Sequence, residues 1–194
     1  MAVIIQPAPL TRLCAASRLA SEMILMVAGV SGSGKTTVGA LLAGRLGWPF
    51  ADADAFHPAA NIAKMVAGIP LTDADRQPWL HAITAWMDER IARGVSAVVT
   101  CSALKRAYRD DLLNGRPQAR MIFLNVDREE LARRLAARHG HFFPADLLSS
   151  QFAVLELPQP DEPRVTVMPS GPDPQETVAA IIAVVQDGDR EADA

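Results

Sequence analysis

The chain has 194 residues, 49% of them hydrophobic, enough for one domain with a substantial buried core. Its net charge is −3, from 19 basic and 22 acidic residues, and the absence of a dense basic run argues against a nucleic-acid partner. No apolar stretch reaches the roughly 18 residues of a membrane span, and the two cysteines lack zinc-site or disulfide-framework spacing. We therefore expect a cytoplasmic protein with no membrane segment.

The first 22 residues contain Pro7 and Pro9 and resemble neither a core element nor a signal peptide. We expect a loose N-terminal tail, with Met23 as an alternative native start and a targeting peptide as the other alternative. The last eight residues, DGDREADA, are typical of a solvated tail.

Between these tails, short apolar runs alternate with helical patterns, which is typical of βαβ units in a parallel sheet covered on both faces. Three runs are continuously apolar, as in strands buried on both faces: ILMVA, AVVT and MIFLNV. The predicted strands are residues 24–28, 49–51, 97–100, 121–126 and 164–167. The predicted helices are residues 35–46, 73–93, 104–113, 128–138 and 175–186.

The segment GVSGSGKT, residues 29–36, satisfies the motif GxxxxGK[ST] at every defined position, between a buried-type strand and a helix. Glycines let successive N–H groups point into one concavity, and the helix N-terminus adds its positive end. Lys35 then reaches the β- and γ-phosphates, and the Thr36 hydroxyl binds Mg²⁺. A glycine-rich turn would explain the glycines but neither Lys35 nor Thr36. The predicted nucleotide-binding residues in and directly after this segment are Gly29, Ser31, Gly32, Ser33, Gly34, Lys35, Thr36 and Thr37.

Two carboxylates follow the second predicted strand in FADADAFHP. In an extended segment Asp52 and Asp54 point to the same side, at the carboxyl end of the strand, where open α/β sheets bind ligands. One can hold Mg²⁺ through water, and the other can accept the proton of an attacking hydroxyl. The third strand ends without an aspartate of the Walker B kind, which favours Asp52 for the metal. An aspartate-rich capping turn is the alternative, and His57 is either a turn residue or a substrate contact.

Two basic segments come later in the chain. Lys105 and Arg109 stand at i and i+4 after the third strand, so that one helix face could point at the site; a solvated helix edge is the alternative. Arg134 and Arg138 have the same spacing, before a break at Gly140. A flap that carries an arginine would cover the γ-phosphate and exclude water, whereas a basic exposed helix would not.

Together these segments resemble the small P-loop gluconokinases, which are related to shikimate kinase and the nucleoside monophosphate kinases. The resemblance covers about residues 23–185 and depends on GVSGSGKTTVGALLA, DADAFHP, NIAKMVAGIPLTDADRQPWL, CSALKRAYRD, RHGHFF and SQFAVLELP. It implies a three-layer α/β P-loop NTPase fold, with a parallel five-stranded sheet covered by helices and a lid as in nucleoside monophosphate kinases. The expected organisation is a tail (1–22), a kinase domain (23–186, lid at about 137–150) and a C-terminal tail (187–194).

The resemblance also implies an activity, transfer of the γ-phosphate of ATP to the 6-hydroxyl of D-gluconate with Mg²⁺ as cofactor. By similarity, Asp52 and Thr36 serve the metal, and Asp54 contacts the acceptor hydroxyl as the base. The residues implied to surround the sugar acid are Asp54, His57, Lys64, Lys105 and Arg109. The resemblance implies that Arg134 stacks on the adenine, that Pro169 flanks it and that Arg138 belongs to the lid. The residues implied to be catalytic are Lys35, Asp54 and Arg138. A homodimer is implied as well.

Two alternatives stay open at this point. A kinase of another small hydroxy acid, such as shikimate, would share most of the motifs but not the segment NIAKMVAGIPLTDADRQPWL in this form. A nucleotide-binding regulatory protein without turnover would need neither Asp54 nor Arg138.

Overall fold

The computed structural model describes residues 22–136 and 145–192. The predicted N-terminal tail up to residue 21 and the first part of the predicted lid, including Arg138, lie outside the described residues. Among the helices of the described part of the chain, none has the length and apolar character needed to cross a membrane.

Strands and helices alternate along most of the chain. The strands are β1 (Ile24–Ala28), β2 (Phe50–Asp52), β3 (Ala97–Cys101), β4 (Ala119–Asn125) and β5 (Val165–Pro169). The helices are α1 (Lys35–Leu46), α2 (Ala59–Val66), α3 (Asp73–Ala92), α4 (Arg106–Leu113), α5 (Arg128–Ala136), α6 (Ala145–Val154) and α7 (Pro174–Ala192). A short 3₁₀ helix, Ala53–Phe56, follows β2.

The five strands form one parallel sheet in the order β2-β3-β1-β4-β5, which confirms the predicted fold class. Every residue of the central strand β1 is buried. Because side chains alternate across a strand, Ile24 and Met26 pack with α3 and α4 on one face, while Leu25 and Val27 pack with α1 and α7 on the other. Apolar burial on both faces therefore holds the carboxyl end of β1 in place.

Several element boundaries differ from the predictions. The helices α2 and α6 and the 3₁₀ helix were not among the predicted elements; in α2 the apolar residues Ile62 and Val66 face solvent. The predicted helix 175–186 extends further along the chain, because α7 continues to Ala192 and includes residues 187–192 of the predicted tail. Extending an existing helix through Gly188 costs only about 1 kcal/mol relative to alanine, since nucleation has already occurred.

The start of α4 also differs from its prediction. Ala103 has a φ of 42° and Lys105 is the extended N-cap, so the helix begins at Arg106 and not at residue 104. Lys105 therefore precedes the helix and does not share a face with Arg109.

Arg109 is a structural residue in this fold, which corrects its predicted place beside the substrate. Its side chain is 1% exposed, and its Nε and Nη2 donate to Glu162 at 2.6 and 2.8 Å. Its Nη1 donates to the carbonyls of Ala103, Leu104 and Glu156. Burial requires such complete pairing of a guanidinium, and the pair ties α4 to the segment that leads into β5.

We expect Arg109→Met to lower the free energy of unfolding by about 3–5 kcal/mol, because it leaves the Glu162 carboxylate buried without its partner. The matched control is Arg106→Met: its partners Asp110 and Asp161 are exposed, so we expect a loss of about 0–1 kcal/mol. Urea unfolding followed by circular dichroism measures both. Equal losses in the two variants would contradict a structural role for the buried pair.

Candidate active site

The phosphate loop lies between β1 and α1, at the carboxyl edge of the sheet. Gly29 has a φ of 136°, and a Cβ there would lie 2.8 Å from the carbonyl oxygen of Leu124. Gly34, with a φ of 97°, caps α1 in the left-handed region. Gly29 has no room for a side chain and the φ of Gly34 disfavours one, so glycine lets the backbone curl around a ligand at both positions. The Lys35 ammonium reaches back over the loop and donates to the Val30 carbonyl at 3.0 Å.

A hydroxyl and a carboxylate meet beside this loop. The Thr36 Oγ1 donates to the Asp52 Oδ2 at 2.8 Å, and Asp52 Oδ1 accepts the Asp54 N–H at 3.1 Å. Such hard oxygen ligands fit Mg²⁺, which keeps several water and phosphate oxygens and needs only one or two from the protein. Within the described ranges there is no cluster of three or more His, Cys, Asp or Glu side chains that could hold a metal without a nucleotide.

Asp54 lies in the 3₁₀ helix and not in an extended segment, so the predicted reason for its orientation is wrong. It nevertheless lines a cavity of about 310 Å³ together with Ser31 and Lys35 of the phosphate loop region. Burial raises the pKa of its carboxyl above the ordinary 3.8, the negative Asp52 raises it further, and Lys35 lowers it. A raised pKa makes a carboxylate a better proton acceptor.

His57 lines the same cavity, with its ring stacked on Trp79 at a centroid distance of 4.5 Å and an interplanar angle of 7°. The Trp79 indole is itself fixed, since its Nε1 donates to the Ala53 carbonyl at 2.7 Å. Burial, and secondarily the positive charge of Arg76, lower the pKa of His57 to about 4. The imidazole is therefore neutral near pH 7 and offers hydrogen bonds, not a positive charge.

The predicted lysines do not line the cavity. Lys64 donates to both carboxylate oxygens of Asp75 at 2.7 and 2.8 Å, and Lys105 binds Asp73 in the same way at 2.8 and 2.7 Å. Both aspartates belong to the first turn of α3. Arg76, the residue directly after Asp75, does line the cavity.

Arg76 was not predicted as a site residue. Its Nη1 donates to the Tyr108 hydroxyl at 3.3 Å and lies 3.6 Å from Asp73. In the segment TDADRQPWL, Arg76 stands one helical turn after an N-cap residue that follows a loop, which is a weak sequence signal for a site residue. Nothing in the neighbouring sequence distinguished Arg76 from Lys105 or Arg109.

Arg134 connects the phosphate loop with the segment after β5. Its Nη2 donates to the carbonyls of Ser170 and Gly171 at 2.8 Å each, its Nη1 lies 3.4 Å from the Ser33 carbonyl, and Glu130 holds its Nε. Pro169, the last residue of β5, directly precedes these carbonyls. The guanidinium is thus fixed beside the start of α1.

Comparison with known proteins defines the family. A family model described as an AAA domain matches residues 23–158. The gluconokinase of Gluconobacter oxydans (strain 621H) is 52% identical over 143 residues, which are 74% of this chain and 80% of that protein. The chain belongs to the gluconokinase family. The thermosensitive gluconokinase of Escherichia coli (strain K12) is 44% identical over 144 residues, 74% of this chain and 76% of that protein.

Solved structures agree with this membership. A gluconokinase from Sinorhizobium meliloti 1021 aligns with a TM-score of 0.78 at 41% identity, over 90% of this chain and 97% of that one. The shikimate kinase of Aquifex aeolicus, at 17% identity and a TM-score of 0.54, shares the fold alone. As a member of the gluconokinase family, the chain is an ATP-dependent phosphotransferase.

For this gluconokinase-family site we expect the Asp54 carboxyl to titrate above 3.8, as measured by ¹³C NMR of the free protein. Asp52→Asn should lower its midpoint, because a repelling charge is lost, and Lys35→Met should raise it, because an attracting charge is lost. If neither substitution changed the titration midpoint of Asp54, the result would contradict the proximity of Asp54 to Asp52 and Lys35.

Proposed function

We propose that this chain transfers the γ-phosphate of ATP to the 6-hydroxyl of D-gluconate, giving 6-phospho-D-gluconate and ADP. The observation that carries the proposal is that Lys35, Asp54 and Arg76 line one cavity. A phosphate-binding cation, a carboxylate base and a second cation are groups suited to the phosphorylation of a hydroxy acid. The relatives named gluconokinase support the choice of acid.

The acceptor would be held at both ends. D-gluconate has a carboxylate at one end and a primary hydroxyl at the other, and a guanidinium binds a carboxylate through two parallel N–H donors. Arg76 is therefore our candidate for the acceptor carboxylate, in place of Lys105 and Arg109. The neutral His57 would bind hydroxyl groups between the two ends.

The chemistry then requires one proton acceptor. The acceptor oxygen forms a bond to the γ-phosphorus as the bond from that phosphorus to the β,γ-bridging oxygen breaks, and ADP leaves with the electron pair. The hydroxyl proton moves to the Asp54 carboxylate, while Lys35 and the loop N–H groups neutralise the phosphate oxygens. Bound Mg²⁺, held by Thr36 with Asp52 in support, would supply charge neutralisation between the β- and γ-phosphates.

Other predicted features of the activity stay predictions. The adenine-stacking role of Arg134 and the adenine-flanking role of Pro169 remain proposals, which the hydrogen bonds of Arg134 to the carbonyls just after Pro169 support. The catalytic role of Arg138 falls on residues outside those described. The homodimer and the cytoplasmic location also remain expectations.

The first test measures ADP release by the purified protein with ATP and Mg²⁺, comparing D-gluconate with shikimate, glucose, glycerate and nucleoside monophosphates. We expect turnover with D-gluconate alone. Asp54→Asn should lower kcat by about 10²–10⁴-fold with nearly unchanged ATP binding, because only the proton acceptor is lost. Turnover with another acid, or none with any acceptor, would overturn the proposal.

A second test addresses the carboxylate. Arg76→Met should raise the KM for D-gluconate by roughly 10- to 150-fold, the equivalent of about 1.5–3 kcal/mol for hydrogen bonds to a charged group. The KM for ATP should not change. Arg93→Met is the matched control at the C-cap of the same helix, since the exposed Arg93 side chain pairs with Glu89 at the surface.

The same variants should be assayed with D-glucitol, in which a CH₂OH group replaces the carboxylate. The wild type should prefer D-gluconate strongly, and Arg76→Met should narrow that preference. An unchanged preference in Arg76→Met would mean that another residue binds the carboxylate of D-gluconate.

A further inference from the structure

One side chain that the proposed chemistry leaves unused touches the phosphate loop directly. The Gln151 Oε1 accepts the Ser31 N–H at 2.8 Å, and its Nε2 donates to the Ser31 Oγ at 2.8 Å. These two bonds join residues 120 positions apart, from α6 and from the loop after β1. A primary amide is the side chain that offers an acceptor and a donor side by side, so it can satisfy a backbone N–H and a hydroxyl of one residue together.

The helix that carries Gln151 also contacts the loop through apolar side chains. Phe152, Val154 and Leu155 pack on a small apolar cluster of Val30, Leu104 and Leu131. The apolar contacts include Val30, the neighbour of Ser31, so α6 holds the loop through two consecutive residues.

The end of the same segment is attached to the chain after β3. The Glu156 N–H donates to the Leu104 carbonyl at 2.9 Å, and the Glu156 carboxylate accepts the Arg106 N–H at 2.6 Å. The amide of Gln151 is therefore presented by a fixed element, and little entropy is lost when it binds Ser31.

Gln151 also lines the candidate cavity, as do Ser31, Lys35 and Asp54. A γ-phosphate bound by the loop must be held in line with the acceptor oxygen, and an error of about 1 Å can cost about 10²-fold in rate. The contact between Gln151 and Ser31 restrains the phosphate loop, so its loss would allow such an error in the position of the γ-phosphate.

We propose that Gln151 is a positioning residue, which fixes the third residue of the phosphate loop against α6 and thereby sets the γ-phosphate relative to the acceptor. The inference rests on the proposed phosphorylation of D-gluconate for its kinetic consequence, but the contact itself can be tested in the free protein.

The first measurement is amide hydrogen exchange of Ser31 by NMR, without any substrate. Gln151→Leu removes both hydrogen bonds and should speed exchange at least about tenfold, whereas the nearly isosteric Gln151→Glu keeps an acceptor for the N–H and should leave it slow. Gln159→Leu is the matched control, because Gln159 is exposed and its side chain donates to the Leu157 carbonyl of its own loop. Equal exchange in the wild type and Gln151→Leu would overturn the proposal.

The second measurement is steady-state kinetics with separate assays for ADP and for 6-phospho-D-gluconate. Gln151→Leu should lower kcat by about 10- to 100-fold, change both KM values by less than about threefold, and release more ADP than sugar phosphate. Ser31→Ala should lower kcat less, since it removes one bond of the two. The double variant should match Gln151→Leu alone, because both changes break the same contact.

The outcomes separate the inference from the proposed function. A wild type that does not phosphorylate D-gluconate defeats the proposed function, and the exchange data then decide whether the Ser31 contact exists. If the wild type is active, a rise in the KM for D-gluconate at unchanged kcat would overturn the positioning role, since Gln151 would then bind the acceptor. Multiplicative losses in the double variant would overturn it too. Ser31→Ala, which removes the bond from the Gln151 Nε2, supplies the kinetic comparison if Gln151→Leu does not fold: an unchanged kcat would then overturn the positioning role.

Discussion

The structure depends on one constraint, that a glycine-rich loop must be held still at the end of a strand buried on both faces. All of β1 is inaccessible to solvent, and Gly29 leaves no room for a Cβ beside the Leu124 carbonyl. A mobile loop of glycines would lose binding energy to entropy, so the burial of β1 and the helix after it provide the rigidity that phosphate binding needs. Both the nucleotide side and the acceptor side are built outward from this point.

Charged residues around the loop fall into two groups with different tasks. Lys64 and Lys105 form ion pairs with aspartates in the first turn of α3. Arg109 forms an ion pair with the buried Glu162 and is therefore not available to a substrate. Arg76 keeps its place at the cavity because Tyr108 and Asp73 orient it without enclosing it. Paired cations stabilise the walls of the site, which leaves a small number of charges to act on a substrate.

Sequence patterns predicted the elements with strong local signals and failed where the signal was tertiary. The loop at residues 29–36 and the order of strands and helices were predictable because glycine spacing and continuous apolar runs are local features. The Arg109 assignment was wrong because its partner Glu162 lies 53 residues away, and no spacing rule reports such a pair. Gln151 and Arg76 were missed for the same reason, since each is one polar residue within an ordinary helix.

The amino-acid sequence alone determined that this chain binds phosphate, that its sheet is parallel, and that its motifs resemble those of small P-loop gluconokinases. Those properties follow from backbone freedom and apolar periodicity, which neighbouring residues define among themselves. Only the tertiary structure decided which cation faces the cavity, which is buried, and which side chain secures Ser31. These properties depend on side chains from different helices and strands, which meet only after folding. Burial and ion pairing then decide which charged groups can act on a substrate.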